Sequence, residues 1–368
     1  MASPFGSFTL NRYPLHPDQT LLAWCSADTL LLEEVWRRQV PGAGTLVIND
    51  AYGALSVALC PQALWTDSKL SALALRSNEQ INSTVHTPII WSTQLPPASP
   101  QLVVMRVPKQ RPFFEYQLQQ LARALPEGAV LLAAGMDKHL SRHTAQLLER
   151  YIGPTQRCRG QRKARLFTAV RDARISALGN DIARYHCEEL DAEVHSLPNV
   201  FSRERLDIGT RFLLAQFHRL PPTDNVLDLA CGSGVLGLAA YKHGLARRVG
   251  FCDESAMAIA SAKLNAGRIF ANSATAFNFY HSDGLAEYSG EPASLILCNP
   301  PFHQEHTVND LAGAHLLQQC AQHLPCGGHL CMVANRHLDY MPVLKRDFQQ
   351  VEILAVNSKF KVVLARKY

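Results

Sequence analysis

The stretch VLDLACGSGVLGL at 226–238 decides the fold. A β-type apolar run enters a loop with two glycines, Gly232 and Gly234, and leaves into an apolar helix start: strand, tight turn, helix. Glycine lets the backbone turn sharply and approach a ligand that any Cβ would hold off. Many nucleotide-like ligands use such a loop, so alone it is a weak signal. A dinucleotide site prefers three glycines around a pyrophosphate. Here an acid, Asp228, stands before two glycines in the pattern D-x-x-x-G-x-G, with Cys231 inside the turn. A carboxylate at a strand end repels a pyrophosphate and attracts a cation.

Working outward, the next strand-like run ends at Asp253-Glu254, one βαβ step further on, where an acid can accept both hydroxyls of a ribose. A third strand tip carries Asp283, placed to accept from an adenine amino group. Three acids at consecutive strand ends fit S-adenosyl-L-methionine, which has no phosphate but carries an ammonium and a sulfonium. The run ASLILC at 293–298 then leads into Asn299-Pro300-Pro301-Phe302. Two prolines after a strand hold φ at about −65° and remove two amide donors. The carbonyl of Pro300 and the side-chain oxygen of Asn299 can then hold the two hydrogens of a planar NH2 group, with its nitrogen turned toward a methyl donor. Such a displacement depends mainly on proximity and orientation, and needs no strong general base. Phe302 offers a face for stacking a base.

The same α/β order occurs twice in the 368 residues. TLVINDAYGALSV at 45–57 aligns with 226–238, setting Gly53 on Gly234, Val47 on Asp228 and Ala51 on Gly232. Asp67 aligns with Asp253, Pro108 with Pro300 and Val107 with Asn299, and KARLFTAV at 163–170 matches KFKVVLAR at 359–366. The first copy keeps the fold pattern without the polar site groups and is expected to be degenerate. Ala230 stands in the cofactor turn, where a methyl is tolerable at negative φ.

Composition excludes little more. Hydrophobic residues make up 47% and charged residues 18%, which places the chain among well-cored globular proteins and away from disordered ones. No apolar run approaches the roughly 20 residues needed to span a bilayer, and the N-terminus does not read as a signal peptide. The ten cysteines form no CxxC pair and read as reduced core residues of a cytoplasmic protein. His303 and His306 lack a carboxylate-rich companion set, so no metal is expected. The net charge of +5 does not by itself demand nucleic acid, but residues 157–174 hold seven Arg or Lys against one acid.

These motifs resemble class I methyltransferases of amino groups. More narrowly, VFSRERLDIGTR at 200–211, NPPFHQ at 299–304 and VANRHLDY at 333–340 resemble the guanine-N2 methyltransferases of bacterial ribosomal RNA. The last two, with INDAYGAL at 48–55, look most like the branch acting on the large subunit. The resemblance implies two tandem Rossmann-like methyltransferase domains with mixed, mainly parallel sheets: a degenerate domain over 1–176, a connection over 177–199 and a catalytic domain over 200–368. It implies methylation of the exocyclic N2 of a guanine in 23S rRNA. The duplication supplies a paired arrangement within one chain, so a monomer is expected, and the apolar runs give no reason to expect a membrane. Phe201 to Gly209, with Ser202 and Asp207, would cover the cofactor, and Asn299 to Phe302 would hold the base. The degenerate domain would grip RNA, for which Arg157, Arg159, Arg162, Lys163 and Arg165 are the candidates. A protein glutamine N5-methyltransferase and a 16S rRNA guanine-N2 methyltransferase remain alternatives. The first usually shows Tyr after the prolines and a small helical N-terminal domain. DNA adenine methylation and a purely binding role fit less well.

Overall fold

The computed structural model describes all residues except 16, 17, 19, 98, 159, 177, 178, 180, 181 and 301–307, and gives the backbone alone for 308–312. Pro301, Phe302, Arg159, His303 and His306 therefore lie outside the described residues. The chain divides into two compact units, Met1–Asp181 and Ile182–Tyr368.

Unit one opens with a hairpin of β1 (Ala2–Ser3) and β2 (Gly6–Ser7), followed by α1 (Ser26–Arg37). Then come β3 (Thr45–Ile48), α2 (Ala54–Leu59), β4 (Ala63–Thr66), α3 (Lys69–Asn82) and β5 (Ile89–Trp91). It closes with β6 (Leu102–Arg106), α4 (Arg111–Ala124), β7 (Val130–Met136), α5 (Thr144–Tyr151), β8 (Thr155–Arg157) and β9 (Ala164–Val170). The sheet order is β5-β4-β3-β6-β7-β9-β8, with β9 antiparallel to both its neighbours and the other pairings parallel. Residues of β3, β4 and most of β6 are buried on both faces, as expected of parallel strands covered by helices.

Unit two repeats this plan. A hairpin of β10 (Ala183–Cys187) and β11 (Ala192–Ser196) precedes α6 (Ile208–Leu214) and β12 (Thr223–Leu229). Next are α7 (Val235–Lys242), β13 (Ala246–Asp253), α8 (Ala256–Ile269), β14 (Phe277–His281) and β15 (Leu295–Cys298). The unit ends with α9 (Val308–His323), β16 (His329–Asn335), α10 (Met341–Asp347), β17 (Gln350–Val356) and β18 (Phe360–Arg366). Its sheet order, β14-β13-β12-β15-β16-β18-β17, is that of unit one strand for strand. The order reverses between β12 and β15, and the carboxyl ends of strands at such a switch point form a crevice suited to ligands. The expected mixed, mainly parallel α/β architecture in two copies is the observed one.

The hydrogen-bond ladders correct the alignment of the two copies. Leu46 pairs Ala63 on one side and Val103 on the other, as Leu227 pairs Gly250 and Ile296. With Val47 on Asp228, this register sets Thr66, not Asp67, on Asp253, and Arg106, not Val107, on Asn299. Strands apolar on both faces carry no alternation to anchor a one-residue slip, so only the ladder reveals it.

A second correction concerns Ala230. Its φ is 56°, in the left-handed region, and its counterpart Asn49 has φ 60°. The loop leaves the strand through a conformation that costs an alanine about 1–2 kcal/mol. Gly234 (φ 83°) and Gly53 (φ 82°) follow at equivalent places. A Cβ on Gly234 would stand 3.0 Å from that of Ala262, which lets α8 sit against the loop.

One tether survives in both copies. Asn265 of α8 donates to the carbonyls of His195 and Ser233 and accepts from the His195 amide. Asn78 of α3 donates to the carbonyls of Asn11 and Tyr52 and accepts from the Asn11 amide. Both asparagines are fully buried. Each ties its glycine loop to the opening segment of its unit, at His195 within hairpin strand β11 and at Asn11 just after the β1–β2 hairpin.

Candidate active site

Asp228 is buried near the end of β12. Its Oδ2 accepts from the Gly237 amide in the first turn of α7 at 2.8 Å. Its Oδ1 is buried with no hydrogen-bond partner among the described residues. Burial, reinforced by the nearby charge of Asp253, pushes the carboxyl well above the usual carboxylate range against the pull of the Gly237 N–H. A buried carboxylate with one oxygen left over is costly unless a cation completes it.

Asp253, at the tip of β13, accepts from the Gly232 amide at 2.9 Å and from the Ser255 amide at 2.9 Å. It thus draws the glycine loop toward the second strand. Cys231 is buried in that turn, its amide bonded to the Cys252 carbonyl, and proximity to Asp253 and Asp228 adds to the burial that pushes its thiol up. A Cβ at Gly232 would meet nothing nearer than Val200 Cγ1 at 3.9 Å, so the loop borders open space there. The Glu254 backbone carbonyl is bonded to the His281 ring at 2.8 Å.

Asp283 is buried just beyond β14. His315 of α9 approaches its carboxylate at 3.7 Å and is pushed up in pKa by it. Gln319, one turn further along α9, accepts from the Leu285 amide and donates to the Asp283 carbonyl. The helix after the Asn299 loop is thereby bonded to the third strand tip, a link the sequence did not signal.

Asn299 follows β15, half-buried. Its Nδ2 donates to Asp207 Oδ2 at 3.0 Å and to Thr210 Oγ1 at 2.9 Å. Asp207 is the N-cap of α6, and the same Oδ2 accepts from the Thr210 amide at 2.9 Å. Gly209 leaves room for that carboxylate, since a Cβ there would sit 3.0 Å from Asp207 Oδ2. Phe201 is 55% exposed, and Ser202 turns the chain at φ 50° with its hydroxyl on the Arg205 carbonyl. The structure therefore brings Asp228, Cys231, Gly232, Gly234 and Asp253 together, and joins Asn299 to the Asp207 motif. Pro300 is buried next to Asn299.

Unit one answers each polar group differently. Val47 stands for Asp228, Thr66 for Asp253 and Arg106 for Asn299. Arg106 pairs with Asp28 in the first turn of α1, much as Asn299 bonds the N-terminus of α6. Asp50, from the loop rather than the strand, accepts from the Leu55 and Ser56 amides at the start of α2. Burial pushes Asp50 up to about 6, with Asp28 adding to the effect. Of the basic candidates, Arg157, Arg162 and Lys163 are exposed on edge strand β8 and in the turn after it, while Arg165 is bonded to Asp137 at 3.1 Å.

A family model described as RLMG N-terminal domain matches residues 1–173, and one described as Methyltransferase small domain matches 191–364. A ribosomal RNA large subunit methyltransferase G of Alcanivorax borkumensis is 39% identical, spanning 98% of this chain and 95% of its own length. The chain belongs to the ribosomal RNA large subunit methyltransferase G family. Further relatives of that name, from Yersinia enterocolitica and Pseudomonas aeruginosa, are 36% and 38% identical, over 98% and 100% of this chain and 92% and 99% of theirs. The fold of this family member is shared with the T. thermophilus 16S rRNA N2 methyltransferase, solved in complex with AdoMet and guanosine. The TM-score is 0.76 at 22% identity, covering 94% of this chain and 92% of that one.

Among the described residues of this family member, no helix is long and apolar enough to cross a membrane, and no cluster of His, Cys, Asp or Glu could hold a metal ion. All ten cysteines are free. The residues that sequence reasoning missed in it are Thr210, Asn265, His315 and Gln319. Asn265 alone left a signal, an asparagine recurring as Asn78 on the buried face of the equivalent helix.

Proposed function

We propose that this protein methylates the exocyclic N2 of a guanine in 23S rRNA with S-adenosylmethionine as methyl donor. The observation that carries the reading is the pairing of two groups at the switch point of the second sheet. Asp228, on β12, has a buried oxygen that calls for a cation, and Asn299, beyond the adjacent β15, offers an acceptor to an NH2 group. The residues fit the donor: Asp228 faces the need for an ammonium, Asp253 and the glycine loop lie at the second strand tip, and Asp283 lies at the third. When bound, S-adenosylmethionine supplies an electrophilic methyl group.

The chain's own contribution is placement. Asn299 Oδ1 and the Pro300 carbonyl accept the two amino hydrogens of the base, which draws its nitrogen lone pair out of conjugation. Holding both reactants in this way supplies most of the rate enhancement as lost freedom of motion. Relatives named for the large ribosomal subunit support 23S rRNA as the substrate. The exposed Arg157, Arg162 and Lys163 of unit one would bind the phosphate backbone, and Phe302 would stack on the base.

The test is incubation of the protein with radiolabelled S-adenosylmethionine and, separately, protein-free 23S rRNA, 16S rRNA and total cell protein, followed by digestion of the labelled product. Label in N2-methylguanosine from 23S rRNA is the expected result. Label in 16S rRNA or in glutamine would overturn the substrate assignment.

A further inference from the structure

Asparagine presents two chemically opposite ends. Its amide NH2 donates two hydrogen bonds and its oxygen only accepts, and the two ends have nearly the same shape. A site that must accept hydrogens from an amino group works only with the oxygen turned toward the substrate. Nothing in an Asn-Pro-Pro sequence decides that orientation.

The structure decides it through α6. Asn299 Nδ2 lies 3.0 Å from Asp207 Oδ2 and 2.9 Å from Thr210 Oγ1. An ionised carboxylate only accepts, so the amide end facing Asp207 must be the NH2. Turning the amide over would set two acceptors against each other, whereas the Thr210 hydroxyl alone would tolerate either end. Asp207 is itself pinned, because its Oδ2 also caps α6 at the Thr210 amide. Unit one keeps the same mechanical link with other chemistry: Arg106 at the strand tip bonds Asp28 in the first turn of α1. A tie between strand tip and helix start is thus common architecture. The choice of an acceptor-only partner for an amide is particular to unit two.

We propose that Asp207 and Thr210 are positioning residues that hold the Asn299 carboxamide with both N–H groups occupied and Oδ1 as the acceptor offered to the target amine. On this assignment Asp207 serves the methyl-accepting side of the site and does not act chiefly on the cofactor. The inference rests on the amino-methylation reading above and deepens it.

The test separates orientation from folding and from cofactor binding. Asp207→Ser keeps a capping oxygen, since Ser68 and Ser255 cap α3 and α8 of this same chain, but is too short to reach Asn299. It is expected to lower kcat with 23S rRNA by about 10- to 100-fold, less than the roughly 10²–10³-fold lost when a group that itself contacts the reacting atoms is removed. The dissociation constant for S-adenosylmethionine, measured by calorimetry, should change by less than about threefold, a factor too small to explain the lost turnover. Thr210→Val should lower kcat in the same sense, and Thr210→Ser should recover most of that loss. In parallel, the Asn299 side-chain amide signal in 15N-labelled protein, assigned from its disappearance in Asn299→Asp, should shift and exchange faster with water in Asp207→Ser.

A rise in the cofactor dissociation constant matching the lost activity, with kcat unchanged at saturation, would overturn the proposal. An unaltered Asn299 amide signal would also overturn it. If the unmodified protein methylated no amino group of RNA or protein, the functional reading would fail instead, and the amide signal would still decide the orientation.

Discussion

Ala230 and Asp228 show how much a single residue in or beside the glycine loop can carry. Ala230 holds a left-handed φ without the glycine that would relieve it. Ala230→Gly should therefore stabilise unit two by about 0.5–1 kcal/mol, the relief of strain less the extra chain entropy of glycine. Its melting temperature, read from the transition of the variant beside the parent, checks this. Asp228 sits in a different balance. Burial favours its protonated form, whereas a bound cation favours the carboxylate, so binding S-adenosylmethionine should release a proton. Affinity should strengthen as pH rises above the usual carboxylate range, and Asp228→Asn should bind weakly with a flatter profile. Calorimetry in buffers of different ionisation enthalpy measures the released proton directly. Asn299→Ala removes the acceptor proposed to hold the target amine and should lower kcat by about 10²–10³-fold. Equilibrium dialysis should find its cofactor affinity near that of the parent.

The strand–loop–helix element needs more than its own residues. The glycine loop of unit two is bonded on one side by Asp253 and on the other by Asn265, reaching in from α8. Asn265→Ala would leave three backbone groups unmatched, at a cost of about 2 kcal/mol. That loss should appear locally, as roughly thirtyfold faster hydrogen exchange at the His195 amide, which donates to Asn265 Oδ1. Unchanged protection there would show that the tether carries no stability. Asn78 preserves the same tether in the copy that has lost Asp228, Asp253 and Asn299 counterparts. The tether is therefore a requirement of the loop's geometry and not of the chemistry done beside it.

At the scale of the whole molecule the two units differ in what they retain. One retains the polar groups at the switch point, and the other retains the fold and displays cations. If unit one binds RNA through Arg157, Arg162 and Lys163, replacing all three with Gln should weaken binding to any RNA of suitable length. It should also make the slope of log K against log salt shallower by about 2, because fewer counterions are released. Filter binding across a salt series reads this slope. An unchanged slope would remove these residues from the RNA-binding surface.

The sequence alone determined the α/β class, the duplication, the loss of polar groups from the first copy and the identity of most candidate residues. These are written in periodicity, in glycine spacing and in the Asn-Pro-Pro-Phe run, all of which are local. Only the tertiary structure decided the register between the copies, because strands apolar on both faces read the same when slipped by one residue. It alone put Thr66 and Arg106 at the vacated site positions, supplied Asp50 from a loop to the start of α2, and gave Ala230 its positive φ. The link from Asp207 and Thr210 to Asn299 spans about ninety residues of chain. A contact of that separation depends on how α6 packs beside the sheet, which no local pattern encodes.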